Sequence, residues 1–340
     1  MPYIIIIMDT AGTGAPRRKT VSILLPCYNE EANLEALYRR VSAVMDANPA
    51  YDWEAVMVND GSKDGTLAGM RRIHGRDPRF RYVDLSRNFG KEIGMLAGMD
   101  YSRGDCLVIM DSDLQHPPEL IPDMLKLWEE GNDDVYAKRR DRGKESWLRK
   151  KLSLLYYSIL QRTTRIPVLQ NCGDFRLLDR MVVDALREMR ETQRYTKGLY
   201  CQAGFRKKEI EFDQGSREAG ESSMSFRRLF SLAMDGITSY TTAPLRIASV
   251  LGFVVSIVAF VYMVYVMVKA IAVGDPVAGF PSLMCVILFL GGVQLICIGI
   301  IGEYLARIFI ESKHRPPYFV RESDGQTKRG RVAPPDSSAF

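Results

Sequence analysis

The chain has 340 residues, 46% of them hydrophobic and 26% charged, with a formal net charge of +5 at neutral pH. That apolar content excludes a disordered or low-complexity chain, and the length admits a sizeable core plus a second module. Its six cysteines lack Cys-x-x-Cys spacing, and two lie inside long apolar segments, which excludes a zinc ribbon or a disulfide framework; the mild positive balance suits phosphates and lipid headgroups.

The opening run MPYIIIIMDT is too short to span a bilayer and has neither a basic n-region nor a small-residue cleavage site, so it does not read as a signal peptide. Met8 is an alternative start. The following AGTGAPRR, Ala11 to Arg18, imitates a dinucleotide-binding glycine loop but lacks the third glycine, and Pro16 interrupts the turn into a helix. Residues 1–19 are therefore expected to be a flexible basic leader.

From Val21 short apolar runs alternate with helical spacing. VSILLP reads as a strand, Leu34, Leu37, Val41, Val44 and Met45 as a helix face, WEAVMVND as a strand, then a polar helix and FRYVDLS. KEIGMLAGMDYSRG, DCLVIMDSD, PELIPDMLKLWEEG and NDDVYAKRR repeat the helix and strand rhythm. Strands apolar on both faces and separated by helices predict an α/β fold with an open, mainly parallel sheet, whose ligands bind beyond the carboxyl ends of the strands. VNDGS, LSRN and MDSDLQ would converge there.

The C-terminal third changes character. Residues 247–268 and 281–301 are predominantly apolar and of spanning length, and apolar all round rather than along one stripe, which predicts a two-helix transmembrane hairpin within 245–305. Arg227, Arg228 and Arg246 precede the first span, and Arg307, Lys313 and Arg315 follow the second, so both ends are expected on the cytoplasmic side. Residues 147–162 and 225–244 mix basic, aromatic and leucine residues as interfacial helices do, although ordinary packing on the sheet remains open for both. Residues 306–340 read as a cytoplasmic tail, disordered after Val320.

At the end of the strand DCLVIM stand Asp111, Asp113 and Gln115, oxygen ligands of the kind Mg²⁺ or Mn²⁺ takes alongside diphosphate oxygens. Helix capping ahead of Pro117 and Pro118 is the plain alternative for the two aspartates.

Together PCYNE (Pro26 to Glu30), NDGSKDGT (Asn59 to Thr66), SRNFGKE (Ser86 to Glu92), MDSDLQHPPE (Met110 to Glu119), NCGDFRLLDR (Asn171 to Arg180) and REAGESSMSF (Arg217 to Phe226) resemble the family 2 polyprenyl-phosphate glycosyltransferases, relatives of dolichyl-phosphate mannose synthase and of bactoprenol glucosyltransferases with two C-terminal membrane helices. The resemblance implies a GT-A-type nucleotide-sugar domain over residues 20–224. It implies inverting transfer of one sugar, glucose favoured, from a nucleotide-sugar, UDP favoured, to undecaprenyl phosphate at a bacterial cytoplasmic membrane. By the same likeness Tyr28 and Asp60 match base-binding positions, with Pro26 and Glu30 beside them and Arg87 and Lys91 near the phosphates. Asp111, Asp113 and Gln115 match the metal and diphosphate site, and Asp174 is the residue that orients or deprotonates the acceptor. Arg176, Arg217 and Ser222 are the candidates for the acceptor phosphate. The implied partners are the nucleotide-sugar, the lipid acceptor, the bilayer and further copies of the chain in a homotetramer, with no nucleic acid.

One position departs from the pattern. Relatives often carry Gly-Glu-Ser-Lys where this chain has Gly220-Glu221-Ser222-Ser223, so a cation expected near the acceptor is absent. A membrane-tethered sugar-nucleotide sensor or scaffold, and a subunit of a processive polysaccharide synthase, stay open as alternatives. The second lacks the Gln-x-x-Arg-Trp pattern its family carries.

Overall fold

The computed structural model describes residues 17–139, 172–192, 194–212 and 279–324, with separate positions between 245 and 268. Strands β1 (Thr20–Cys27), β2 (Asp52–Asn59), β3 (Phe80–Leu85) and β4 (Cys106–Ile109) alternate with helices α1 (Leu34–Ala47), α2 (Thr66–Arg76) and α3 (Lys91–Tyr101). After β4 come a 3₁₀ turn (Pro118–Leu120) and α4 (Ile121–Glu129), then β5 (Asp134–Arg139), β6 (Cys172–Asp179), α5 (Arg180–Glu188), α6 (Thr196–Gln202), β7 (Lys207–Phe212), α7 (Phe280–Glu311) and β8 (Val320–Ser323).

One eight-stranded sheet runs in the order β7-β5-β6-β4-β1-β2-β3-β8. Its centre is parallel, with β1 between β2 and β4 and β3 beyond β2, as continuous apolar strands joined by helical crossovers require. On one side β6 returns antiparallel between β4 and β5, while β7 runs parallel to β5. On the other, β8 pairs antiparallel with β3. The expected α/β architecture with a mainly parallel sheet is present.

Both faces of the sheet are covered. Ile23, Leu25, Met57, Phe80, Tyr82 and Val108 pack on one side with α1, α2 and α4, and Leu24, Val56, Val58, Val83, Leu107 and Leu178 on the other with α3 and α5. The period-2 alternation of each strand makes this division.

The structure departs from the sequence reading twice at the C-terminus. The second apolar helix does not stop near residue 301: α7 runs to Glu311, because no proline stands between Ile301 and Pro316 and the Glu303–Arg307 pair (3.0 Å, four residues apart) supports the added turns. Its residues 289–311 are long and apolar enough to cross a membrane, with Leu295, Ile298, Leu305 and Ile308 exposed. Cys297 Sγ lies 3.6 Å from the carbonyl of Ala248, which brings these two positions together. Nor is the chain after Val320 a disordered tail throughout, since Val320–Ser323 completes the sheet edge, held by Arg71 and Tyr82 on Glu322 and by Arg81 on Asp324. The leader up to residue 16 and the segments 147–162 and 225–244 lie outside the described residues.

Candidate active site

The parallel strands end on one edge, and their loops are laced together there. Tyr28 follows β1 and is 44% exposed. Asn29 turns the chain with φ 55°, donating its N–H to Ser62 Oγ (2.9 Å) and accepting the Lys63 N–H (2.8 Å), which ties the loops after β1 and β2 together. Asp60 is buried at the end of β2, and its two oxygens accept the N–H groups of Phe89 (2.7 Å) and Gly90 (2.8 Å). These are amides at the start of α3, where a carboxylate satisfies unpaired donors and complements the helix dipole. Gly61, with φ 66°, lets the loop after β3 pass so close that a Cβ would stand 2.4 Å from the carbonyl carbon of Arg87. Arg87 itself is exposed, its guanidinium 4.0 Å from the Phe89 ring centroid.

The Asp111–Gln115 loop is pinned from both sides. Ser112 Oγ donates to the Pro26 carbonyl (2.9 Å), and the Asp111 N–H donates to His116 Nδ1 (3.2 Å). The His116 ring stacks on Phe175 at 4.9 Å and 18°. Asp113 Oδ1 accepts the Gln115 N–H (3.1 Å) across Leu114, whose φ is 60°. Glu30 is near enough to feel both aspartates: burial, then the charges of Asp113 and Asp111, push its carboxyl above the ordinary range although Asn33 hydrogen-bonds it.

Antiparallel pairing of β6 with β4 sets Ile109 opposite Arg176, and the register carried two residues further sets Asp111 opposite Asp174. Between these acids stands Lys91, the first residue of α3, with Nζ 2.6 Å from Asp111 Oδ1 and 2.6 Å from Asp174 Oδ2. Burial opposes the charge on Lys91, but the two carboxylates outweigh it and hold the ammonium above its usual range. Asp174 is the mirror case. Burial raises its carboxyl, while Lys91 and then Lys197 more than reverse that, so it is held ionised.

Asp111 and Asp113 fit a divalent cation. They supply hard oxygens from one strand end, and the buried Asp174 Oδ1 nearby has no hydrogen-bond partner among the described residues. No group of three or more His, Cys, Asp or Glu among the described residues is arranged to hold a metal, so further ligands would come from the diphosphate. Gln115 follows on the same loop, with its backbone N–H on Asp113.

Arg176 has to be reassigned. It alternates with Phe175 and Leu177 along β6, so its side chain lies on the opposite face of the sheet, which Tyr200 covers. It is 2% exposed, paired with Asp134 at 2.9 and 3.2 Å, and its guanidinium lies 3.7 Å from the Tyr200 ring centroid. Arg217 and Ser222 lie outside the described residues. Sequence reasoning missed Lys197, on α6, and Glu92, whose carboxylate accepts the Thr196 N–H (3.0 Å) and is pushed up by burial and by Asp174. No local pattern marks Lys197. Glu92 stands beside Lys91 inside SRNFGKE, and its carboxylate meets the start of α6.

Comparison with known proteins decides the family. The model for glycosyl transferase family 2 matches residues 22–187, and that for the GtrB C-terminal hairpin matches residues 243–308. An uncharacterized glycosyltransferase of Synechocystis sp. is 42% identical over 89% of this chain and 95% of its own length. The chain belongs to glycosyl transferase family 2. A bactoprenol glucosyl transferase of Shigella phage SfV is 38% identical over 88% of this chain and 98% of its own length. The motifs' likeness to the family 2 polyprenyl-phosphate glycosyltransferases is thereby borne out, together with the GT-A-type fold. For this family 2 glycosyltransferase the matched hairpin and apolar α7 place the C-terminal third with the membrane.

Proposed function

We propose that the chain transfers one sugar, glucose favoured, from a UDP-sugar to undecaprenyl phosphate at the cytoplasmic face of the membrane, with inversion at the anomeric carbon. The observation that carries this reading is the Asp111–Lys91–Asp174 bridge, which joins the donor-diphosphate end of β4 to a buried acid beside it, in a chain that carries a membrane hairpin. Tyr28 offers a ring face to the base, and the lysine at the head of α3 offers its ammonium to a diphosphate. Bound by Asp111 and Asp113, Mg²⁺ or Mn²⁺ would supply positive charge where the leaving diphosphate gains negative charge.

The acceptor phosphate is a phosphomonoester with a second pKa near 6, largely dianionic at neutral pH, so it needs orientation and charge neutralisation more than proton removal. Asp174, held ionised, orients rather than titrates, and Lys197 takes over the cationic role expected of Arg176. An acceptor oxygen bonds to the anomeric carbon on the face opposite the breaking bond to diphosphate. The lipid tail stays in the bilayer, with both termini and the catalytic domain on the cytoplasmic side, and the chain assembles as a homotetramer. The test is transfer from a panel of labelled sugar nucleotides to undecaprenyl phosphate in detergent, read as organic-extractable label. Label from one donor, lost with chelator and with Asp113→Ala, supports the reading; nucleotide binding without lipid-linked product from any donor refutes it.

A further inference from the structure

The polypeptide that returns from the membrane runs past the donor crevice. After α7 it passes Tyr318, whose hydroxyl donates to Asp100 Oδ2 (2.6 Å), and reaches the loop after β3. There the Ser86 N–H donates to the Phe319 carbonyl (2.8 Å), and Arg321 Nη2 donates to the Ser86 carbonyl (2.8 Å). Arg321 also brings Nη1 to 3.6 Å from Asp84 Oδ2, a buried oxygen with no hydrogen-bond partner among the described residues.

Two routes lead from this arginine to the base-binding corner. Through Asp84, Oδ1 accepts from Asn59 Nδ2 (2.7 Å), Asn59 Oδ1 accepts the Ser62 N–H (3.2 Å), and Ser62 Oγ accepts the Asn29 N–H beside Tyr28. Through Ser86, the same loop carries Phe89 and Gly90, whose amides Asp60 holds, and then Lys91. A buried carboxylate needs a counter-charge, and a loop packed over Gly61 at backbone contact has one arrangement that fits. Arg321 lies past both the family 2 match, ending at residue 187, and the hairpin match, ending at residue 308.

We infer that Arg321 is a positioning residue for the donor nucleotide: the segment returning from the membrane helix completes the donor site by neutralising Asp84 and fixing Ser86. This rests on the reading of the crevice as a nucleotide-sugar site.

The test uses the full chain in detergent, with UDP, GDP and dTDP as binding probes and transfer kinetics for the wild type, Arg321→Ala, Arg321→Lys and the Asp84→Asn/Arg321→Ala pair. Loss of a charge-assisted contact predicts that Arg321→Ala weakens nucleotide binding and raises donor KM about tenfold, with acceptor KM and kcat at saturating donor unchanged. Arg321→Lys restores most of the affinity, and in the Asp84→Asn background Arg321→Ala adds less than about threefold. Nucleotide affinity within about twofold of wild type in Arg321→Ala overturns the inference, as does a parallel loss of kcat, acceptor KM and thermal stability. A wild type that prefers another base overturns the uridine reading alone, and Arg321 is then judged on that base. A wild type that binds none of the three overturns both.

Discussion

Replacing Arg176 separates a buried structural cation from a phosphate ligand. Its side chain and that of Asp134 are 2% and 1% exposed and meet at 2.9 Å, so Arg176→Met leaves a carboxylate in the sheet interior without its partner. Breaking such a pair costs about 3–5 kcal/mol, whereas replacing both members with apolar residues is near neutral or stabilising. At about 2–4 °C per kcal/mol for a domain of this size, the single variant should melt roughly 6–20 °C lower. The pH dependence has a definite sign. Burial already pushes Asp134 up while Arg176 pulls it back, so without Arg176 the folded carboxyl rises further above its unfolded value of 3.8. A group raised in the folded state binds more protons there, so the variant loses stability as pH rises toward the folded value, by about 1.4 kcal/mol per unit. The deficit should therefore grow as pH rises from the unfolded value of 3.8 toward the raised folded value, and be smallest below 3.8. Arg176→Met/Asp134→Leu should recover wild-type melting, measured by intrinsic fluorescence in detergent, and keep the wild-type KM for undecaprenyl phosphate. A double variant that melts normally but needs about tenfold more acceptor would return Arg176 to the acceptor site and refute the argument.

Three further outcomes follow from named contacts. Gly61→Ala forces a left-handed alanine, costing about 1–2 kcal/mol, and drives its Cβ into the backbone of Arg87 and Asn88; donor KM should rise while acceptor KM stays, and equal donor KM would show that the loop over Gly61 is not part of the donor site. Lys197→Ala should raise acceptor KM roughly tenfold with donor binding unchanged, read by varying undecaprenyl phosphate at fixed donor, and an unchanged acceptor KM would remove Lys197 from the acceptor side. Hydrogen bonds from Arg71 and Tyr82 hold the Glu322 carboxyl below its ordinary 4.5, so its contribution is complete above that pH and fades as pH falls through the lower folded value. Exchange of the Ser86 and Asp324 amides, bonded to Phe319 and Tyr82, should therefore speed up below pH 4.5 after correction for intrinsic rates, and no such change should occur in Glu322→Gln.

The sheet's centre was legible because its signals are local. Four apolar runs separated by helical spacing admit little but parallel strands, and a strand ending in Asp111-Ser-Asp113 announces its chemistry within a few residues. The edges were not legible, for different physical reasons. β8 is Val-Arg-Glu-Ser, whose polar side chains find partners in Arg71 and Tyr82 some 240–251 positions earlier, so its composition alone reads as solvated tail. β6 carries Asp174 and Arg176 on one face and Phe175 and Leu177 on the other, an alternation that predicts a strand once it is sought. Read as the motif GDFR, it gave two charged residues, Asp174 and Arg176, both assigned to the acceptor side by the family resemblance. The decisive contact, Lys91 between Asp111 and Asp174, joins residues 83 positions apart, and it exists only because β6 enters the sheet antiparallel beside β4. That topology buried Arg176 against Asp134, while the charge of Lys197, on α6, acts on Asp174. A charge in a sequence motif can serve the ligand or the fold, and here the pleat of one strand decides which.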